Sequence, residues 1–547
     1  MTSANAKPSW QQAWWLVSQS PQQTAPVWLH GDVQTAPEQV PLGSLWKLLV
    51  YHYSVERHLA DKPYQCHVGK QAAVGDEYCC SKSESISRDV ALARSCGAYF
   101  EPKRLQLDAQ DWQQYWQQQA PAVTWLHQLN QVQASTQTTV AELLQLLSGM
   151  TADKLSVQQA RVALSERLLQ PQWSGVLPYL GGAYRFKTYT WQHPQYKGAY
   201  FGGAAGWLAD GTAFWLGGTG GSRELMLKAA PILAQRLPVS AHAKPIFATE
   251  CVVVNYFKRY PIARIYQADS KATPALGALR GRFVLQFKNG NVLDISSNGE
   301  LSLAKNQQQW QIVGLLDLPE YVARVLDREA DANITEAAKA LSIAARSYLY
   351  QNAQFHQGCW QIDDDSSKQR VSAHAASPAA RAVVAFTEGL SLTGSPIYYH
   401  QNKSSSNVLN WQKAVQQAQQ HDNYLTILHT AYPQATWRLA NQGQQCEAMP
   451  DASAYLKQSL KQARVRLQSV VGLEQVPDLK ICKLDYGNPF ADSNNNSIYI
   501  RDWRSENDRI SLWHEYLHLA LRFHPDGSNE TYIENLAQQL AQHHLLQ

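Results

Sequence analysis

Five consecutive residues near the C-terminus, His514-Glu-Tyr-Leu-His518, have the types and spacing that metal chemistry requires. Positions four apart lie on one face of a helix, so His514 and His518 can present two imidazoles to one ion. Glu515 then lies beside that ion, where a general base is needed for a zinc-bound water. The pentapeptide therefore predicts Zn2+ as a cofactor, with the two histidines as ligands and Glu515 as a catalytic residue.

A helix has to hold these side chains, and the flanking residues favour one. Ser505-Glu-Asn-Asp508 has the pattern of a capping box, in which serine and acidic side chains satisfy the first backbone N–H groups. Pro525 and Gly527 are typical of the segment after a helix. The stretch from Asn496 to Ile500 predicts a short strand, which many zinc peptidases place above the active helix to hold an extended substrate.

The third metal ligand has three candidates. Glu534, in Tyr-Ile-Glu-Asn-Leu-Ala, resembles the third ligand of the glutamate zincins, although Asn535 stands where that family prefers glycine. The resemblance implies Glu534 as a metal ligand. His524 matches the outer histidine of the metzincin pattern, and Glu530 lies one turn before Glu534. One of the two glutamates can bind the metal while the other orients a histidine.

A second type of chemistry is indicated by Ser44-Leu-Trp-Lys47, which opens an apolar helical run. Serine and lysine three apart on a helix bring a hydroxyl and an amine together, and a desolvated lysine can take the serine proton. Two later segments follow in a set order, Ala91 to Phe100 and Phe186 to Thr190. Together the three segments resemble the motifs of the penicillin-recognising serine acyltransferases.

That resemblance implies roles for five residues. Ser44 is the nucleophile, Lys47 its base and Ser95 the serine of the second motif, while Lys187 and Thr188 bind the substrate carboxylate. Two positions depart from the family pattern. Gly97 replaces the asparagine of the second motif, and Tyr189 replaces the glycine of Lys-Thr-Gly, where a side chain could obstruct the strand. A domain that only binds its ligand is therefore an alternative to a catalytic one.

A third type of chemistry is indicated in the middle of the chain, where two helical segments follow each other, residues 318–330 and 336–349. They resemble the signature of the stage II sporulation protein D family, lytic transglycosylases of peptidoglycan, and the resemblance extends over about residues 245–410. It implies that Glu329 is the catalytic glutamate. Such a residue protonates the glycosidic oxygen, and its carboxylate then helps the sugar's 6-hydroxyl attack the anomeric carbon.

This role requires a pKa raised by apolar surroundings. Two alternatives are weighed against it. Arg324 precedes Glu329 by five residues and could hold the carboxylate ionised and unfit as an acid. Glu329 could also be an ordinary glutamate on a surface helix.

The length of 547 residues predicts several domains. We expect an α+β multidomain protein with a β-lactamase/penicillin-binding-like α/β domain at residues 1–238. A mixed β plus helix-pair, transglycosylase-like domain follows at 239–410, and a C-terminal helical zincin-like domain at 411–547. The patterns also predict glycine-rich strands at 200–207 and 213–221, followed by a helix at 222–236.

Charge, hydropathy and cysteines restrict the environment. A net charge of +4 without a long basic run argues against nucleic acid as a partner. No run of about 18 apolar residues predicts a transmembrane helix. The first residues lack an apolar signal region, which fits a cytosolic start or a removed signal peptide. Eight cysteines, four of them clustered at Cys66, Cys79, Cys80 and Cys96, indicate disulfides in an oxidising compartment, with the pairing left open.

Taken together, these motifs favour an exported envelope protein of the Gram-negative periplasm with peptidoglycan as its substrate or partner. The arrangement resembles a bacterial envelope family with paired uncharacterised domains, often encoded beside bacterial alpha-2-macroglobulins, and this implies such a macroglobulin as a further partner. Three hypotheses follow. They are a glycan-cleaving enzyme with an added zinc site, a zinc peptidase with docking modules, and a scaffold without catalytic activity.

Overall fold

The computed structural model shows a mixed α+β chain with two compact units. The first unit contains residues 1–249 together with 376–389, and the second contains 250–375 and 390–547. The described residues are 13–67, 79–80, 85–150, 156–157, 160, 163–164, 168–169, 173–193, 198–208, 210–239, 250–306, 309–356, 359–366, 368–403, 405–439, 446, 448–463, 465, 467, 470, 472–483, 489–492, 496–500, 503, 505–527 and 529–542. The expected division into three domains, with boundaries at 238 and 410, stays a prediction.

The first unit is built on a five-stranded antiparallel sheet in the order β2-β1-β9-β8-β7. Its strands and those of two small strand pairs are β1 (Trp14–Gln19), β2 (Val27–His30), β3 (Val40–Pro41), β4 (Tyr64–Gln65), β5 (Ser85–Ile86), β6 (Gln137–Thr138), β7 (Tyr184–Gln192), β8 (Tyr200–Leu208) and β9 (Ala213–Thr219). The predicted glycine-rich strands are thus confirmed as β8 and β9.

The helices of the first unit are α1 (Trp46–Glu56), α2 (Arg88–Arg94), α3 (Gly97–Phe100), α4 (Pro102–Leu105), α5 (Ala109–Gln119), α6 (Val140–Gly149), α7 (Leu177–Leu180), α8 (Ser222–Arg236) and α11 (Pro378–Phe386). The predicted helix at 222–236 is confirmed as α8. Helix α1 buries nine of its eleven residues, Lys47 to Val55. A helix so fully enclosed fixes the position of every side chain that it carries.

Helix α11 reaches the first unit from far along the chain. The backbone N–H of Gly182 donates to the carbonyl of Phe386 over 2.8 Å. A Cβ atom at Gly182 would lie 1.8 Å from the carbonyl oxygen of Glu388, so only glycine permits this approach. Two glycines in succession, Gly181 and Gly182, therefore hold residues 376–389 in the first unit.

The second unit contains a seven-stranded sheet in the order β11-β12-β13-β14-β10-β16-β15. Its strands are β10 (Cys251–Tyr256), β11 (Ile262–Gln267), β12 (Gly277–Phe287), β13 (Val292–Asn306), β14 (Gln309–Asp317), β15 (Gln354–His356) and β16 (Cys359–Asp363). The pairing is antiparallel except between β10 and β16. Cys251 and Cys359 are direct neighbours in that parallel pair, and a disulfide joins them.

Two helices pack beside this sheet, α9 (Leu318–Glu329) and α10 (Thr335–Asn352). Asp317 caps α9 with its side chain, and Pro319 occupies the first turn, where its missing N–H costs nothing. The predicted helix pair is thus confirmed. Further elements of this region are α12 (Trp411–Gln419), α13 (Tyr424–Ala431), β17 (Leu390–Thr393), β18 (Tyr398–His400), β19 (Val408–Asn410) and β20 (Thr436–Leu439).

The C-terminal part of the second unit has a hydrophobic core of its own. Its elements are α14 (Pro450–Gln462), β21 (Lys480–Lys483), β22 (Phe490–Asp492), β23 (Ser497–Ile500), α15 (Glu506–Ala520) and α16 (Glu530–Gln542). Ser505 and Asp508 form the predicted capping box at the start of α15. The short strand expected before this helix is confirmed as β23.

All eight cysteines are paired in disulfides, as the clustering indicated. The pairs are Cys66–Cys80, Cys79–Cys96, Cys251–Cys359 and Cys446–Cys482. Every helix within the described stretches is too short or too polar to cross a lipid bilayer.

Candidate functional sites

Glu329 is the last residue of α9, where its carboxyl group is half-buried. The backbone N–H of Arg370 donates to Glu329 Oε1 over 3.1 Å. The side-chain amide of Gln401 donates to the backbone carbonyl of Glu329. Burial raises the pKa of Glu329, and this effect outweighs the opposing hydrogen bond and charge of Arg370 and the charge of Arg328. A carboxyl group in such surroundings is more readily protonated than an exposed one, as an acid catalyst requires.

Arg324 forms its salt bridges with glutamates other than Glu329. Its guanidinium is 1% exposed and forms salt bridges with Glu300 over 2.9 Å and with Glu320 over 2.8 Å. Glu300 lies on β13, and Glu320 lies in the first turn of α9, the helix that also carries Arg324. The alternative in which Arg324 holds Glu329 ionised is therefore wrong for this structure.

A second carboxyl group lies near the same segment. The backbone N–H of Val371 donates to Asp364 Oδ1 over 3.0 Å, one residue after the N–H that binds Glu329. Burial also raises the pKa of Asp364. No sequence pattern indicated Arg370, Val371 or Gln401, because two of them act through backbone N–H groups and all are more than 40 residues from Glu329.

The serine–lysine pair lies at the start of α1. Ser44 is half-buried in a 3-10 turn, Gly43–Leu45, and Lys47 follows in the first turn of the helix. Lys47 Nζ lies 3.3 Å from Ser44 Oγ and donates to the backbone carbonyl of Ser95 over 2.7 Å. A fully buried lysine amine beside a hydroxyl is the arrangement that activates a serine.

Ser95 brings the second and third motifs to the same place. It ends α2 in the left-handed conformation, with φ of 61°. Lys187 Nζ donates to Ser95 Oγ over 2.5 Å and to the carbonyl of Thr188 over 2.7 Å. Four of the five predicted residues, Ser44, Lys47, Ser95 and Lys187, thus form one hydrogen-bonded cluster. Thr188 enters it through its backbone, and its carboxylate-binding role stays a prediction.

The two departures from the acyltransferase pattern lie in different surroundings. Gly97 opens α3, two residues after Ser95. Tyr189 is 1% exposed, and its hydroxyl donates to the carbonyl of Leu216 over 3.4 Å. Its ring packs beneath Gly43, where an added Cβ would meet it at 3.1 Å. Tyr189 is therefore an interior packing residue under the turn that carries Ser44.

The paired histidines of α15 face each other. His518 Nε2 lies 3.0 Å from His514 Nε2. Behind them, His518 Nδ1 lies 3.1 Å from the carbonyl of Gly527, and His514 Nδ1 lies 2.9 Å from Glu534 Oε2. Glu515 is 8% exposed on the same helix. The two rings are thus held from behind, with their Nε2 atoms 3.0 Å apart.

These partners determine where the protons lie. A carbonyl oxygen and an ionised carboxylate only accept hydrogen bonds, so each neutral histidine donates from Nδ1 and keeps a lone pair on Nε2. Two lone pairs 3.0 Å apart repel unless a proton or a metal ion lies between them. Two imidazoles on one tetrahedral zinc ion, each at about 2.0–2.1 Å, have nitrogens roughly 3.3 Å apart. His514 and His518 therefore fit two zinc ligands.

Two of the three candidates for the third ligand, Glu534 and His524, have side chains in the described part of the chain. Glu534 lies on the Nδ1 side of His514, away from the facing Nε2 atoms. His524 Nδ1 accepts the N–H of Asp526 over 3.0 Å, and the side chain of Glu530 lies outside the described residues. In the described part of the chain, three candidate ligand atoms come together at Cys79, Cys80 and Cys96, whose sulfurs are in disulfides.

Comparison with known proteins defines the family. A family model described as "Predicted secreted protein (DUF2300)" matches residues 72–193 and 407–526. A model described as "Stage II sporulation protein" matches residues 306–422, which include Glu329. The "Uncharacterized protein YfaQ" of Escherichia coli (strain K12) is 39% identical over 502 residues, covering 91% of this chain and 89% of that protein. The chain belongs to the family of this Escherichia coli protein.

Solved structures give a weaker likeness. "Structure of BPu1 beta-lactamase" aligns with a TM-score of 0.28 and 11% identity, covering 43% of this chain and 97% of that one. A "Last common ancestor of Gram-negative bacteria (GNCA4) beta-lactamase class A" aligns with a TM-score of 0.28 and 14% identity, covering 41% and 93%. A TM-score of 0.28 is too low to assign a fold, so the acyltransferase-like fold of the first unit stays a prediction.

Proposed function

We propose that this protein is a periplasmic peptidoglycan-active protein that cleaves glycan strands at Glu329. The observation that carries the proposal is the carboxyl group of Glu329, half-buried, with its pKa raised by burial, inside the region matched by the stage II sporulation model. The secreted-protein description of the other family model and four disulfides support an oxidising location outside the cytoplasm.

One carboxyl group can carry out both halves of this reaction. Protonated Glu329 donates its proton to the glycosidic oxygen as the bond to the anomeric carbon breaks. The resulting carboxylate then takes the proton of the sugar's 6-hydroxyl while that oxygen bonds to the anomeric carbon. The products are a free 4-hydroxyl on one sugar and a 1,6-anhydro ring on the other. The N–H of Arg370 holds Oε1 in place throughout.

The test is mass spectrometry of soluble products released from purified sacculi. We expect the wild-type chain to release anhydro-sugar fragments and Glu329→Gln to release none. Asp327→Asn, an exposed carboxylate on the same helix, is the matched control and is expected to keep the activity. Equal anhydro products from wild type and Glu329→Gln would reject the proposal.

A second activity is favoured by the facing lone pairs of His514 and His518. We propose that these histidines hold a zinc ion for peptide cleavage, with Glu515 as the general base. A bound zinc ion would lower the pKa of a water molecule to near neutrality. Glu515 would accept the proton of that water molecule at its carboxylate. Loss of cross-link cleavage in Glu515→Gln, with anhydro products retained, tests this activity separately.

A scaffold without catalytic activity remains the alternative, and the changed motif positions Gly97 and Tyr189 motivate it. It predicts binding to sacculi but no soluble product from any variant. An alpha-2-macroglobulin-like partner belongs to the same alternative and stays an expectation. Co-sedimentation with sacculi, run beside the product analysis, distinguishes a binding protein from an inactive preparation.

A further inference from the structure

We propose that Glu534 is a positioning residue that orients His514 and is not itself a ligand of the metal. This inference rests on the proposed zinc site. It changes the role implied by the resemblance to glutamate zincins, in which the corresponding glutamate binds zinc directly.

Both oxygens of the Glu534 carboxylate are engaged away from the metal position. Oε2 lies 2.9 Å from His514 Nδ1, and Oε1 accepts from Gln538 Nε2 over 2.8 Å. Nδ1 and Nε2 are on opposite edges of the imidazole ring. A carboxylate bound at Nδ1 is therefore on the far side of the ring from an ion held at Nε2.

His518 has an equivalent hydrogen-bond partner at its Nδ1 atom, and that partner shows what a group bound at Nδ1 does. His518 Nδ1 lies against the carbonyl of Gly527, in the turn that follows α15. A carbonyl in this position fixes the ring and its tautomer. Glu534 does the same for His514 from the neighbouring helix α16, with the added effect that a carboxylate makes the imidazole more basic.

Gln538 extends this support by one turn. It stands four residues after Glu534 on α16, so the two side chains lie on the same helix face. Its amide holds the carboxylate in the orientation that serves His514. The contacts run from Gln538 to Glu534 to His514. A bound metal ion would be held by His514 and not by Glu534.

Ligands and orienting residues differ in what their removal does to metal binding. Loss of an orienting partner typically lowers metal affinity about 10- to 100-fold and leaves the coordination unchanged. Loss of a ligand changes the donor set itself. Co2+ in place of zinc reports the donor set through its visible absorption, so affinity and spectrum together separate the two roles.

The experiment measures zinc affinity by competition with a chromophoric chelator, and the Co2+ absorption spectrum, on the full chain. We expect Glu534→Gln to bind about one zinc per chain with affinity reduced about 10- to 100-fold and the Co2+ bands of the wild type. Gln538→Ala should weaken binding in the same direction by a smaller factor. His518→Ala should alter the Co2+ bands.

A changed Co2+ spectrum or loss of stoichiometric zinc in Glu534→Gln would overturn the inference, provided that circular dichroism shows intact helices. If Glu534→Gln loses its helical signal, an unchanged zinc affinity in Gln538→Ala also overturns it. Failure of the wild-type chain to bind zinc rejects the proposed zinc site itself. Glycan cleavage at Glu329 is unaffected by either result.

Discussion

The carboxyl group of Glu329 owes its acid character to where α9 ends. The last turn of the helix places it half-buried beside the backbone N–H of Arg370. Spacing along the sequence suggested Arg324 as its partner, but spacing does not report which way a side chain turns. Arg324 turns toward Glu300 and Glu320 instead.

The raised pKa of Glu329 has a consequence for the pH dependence of cleavage. In the proposed reaction the acid form of Glu329 is the active one, so we expect the Glu329-dependent rate to fall as pH rises through this raised pKa. Initial rates of anhydro-sugar release between about pH 4 and 8 give the profile. The falling limb should persist in Asp327→Asn. A rate that rises across this range would contradict the acid role.

The same group has a defined effect on stability. Its folded pKa lies above the unfolded value, so its contribution is fully present below the unfolded pKa and is lost as pH rises through the folded pKa. Glu329→Gln removes an ionisable group from a half-buried position. We expect this variant to be at least as stable as the wild type at pH 7, which separates lost activity from lost folding.

At the His514 site, residue types and spacing were sufficient to predict the helix and the facing of its two histidines. Their role as zinc ligands stays a prediction. The position of Glu534 was not predictable in the same way. A glutamate on the following helix can contact either the Nδ1 or the Nε2 atom of the imidazole. The packing of α16 against α15 determines that Glu534 contacts Nδ1. Gln538 was not singled out, although its spacing of four from Glu534 is a signal that sequence alone provides.

One buried arginine joins a helix of the second unit to its sheet. Arg324 on α9 is 1% exposed and binds Glu300 of β13. We expect Arg324→Ala to cost about 3 kcal/mol, because two partly buried carboxylates lose their partner. Urea denaturation measures the loss. Lys258→Ala, whose side chain is 65% exposed, should change stability by less than about 1 kcal/mol.

The capping box at the start of α15 provides a second test of stability. Ser505 accepts the N–H of Asp508, and its own N–H is bound by the Asp508 side chain. Ser505→Ala removes the acceptor and should cost about 1 kcal/mol, whereas Ser505→Asp keeps an acceptor and should cost less. Hydrogen exchange in the first turn of α15 localises the effect. Equal protection in all three proteins would contradict it.

Elements with strong local signals were the ones predicted correctly. The capping box, the helix pair and the glycine-rich strands each depend on neighbouring residues, so sequence alone was enough. The strand order was not predictable. The parallel pairing of β10 with β16 joins Cys251 to Cys359 across 108 residues, and no local pattern specifies such a partner.

The first unit is completed by a distant segment, residues 376–389. Gly182→Ala would place a Cβ 1.8 Å from the Glu388 carbonyl, so the backbone has to shift. We expect a loss of about 1–3 kcal/mol and faster proteolysis within residues 376–389. Gly149→Ala, with nothing within 4 Å of the added atom, is the matched control and should be neutral.

This segment also shows why long-range packing was harder to infer than motifs. Composition changes along the chain are local signals, and the domain boundaries that they indicate at 238 and 410 stay predictions. A helix that packs with a distant part of the chain produces no such change. Its place depends on two glycines about 200 residues earlier, at Gly181 and Gly182.

Cys79 and Cys80 are consecutive residues in different disulfides, with their sulfurs 3.7 Å apart. Four cysteines in one segment can pair in three ways, and here the competing pairs are within easy reach of one another. Exchange proceeds by attack of a thiolate on a nearby disulfide. We therefore expect correct pairing of these four cysteines to need thiol–disulfide exchange as well as oxidation, and mispairing at Cys96 to disturb the neighbouring Ser95.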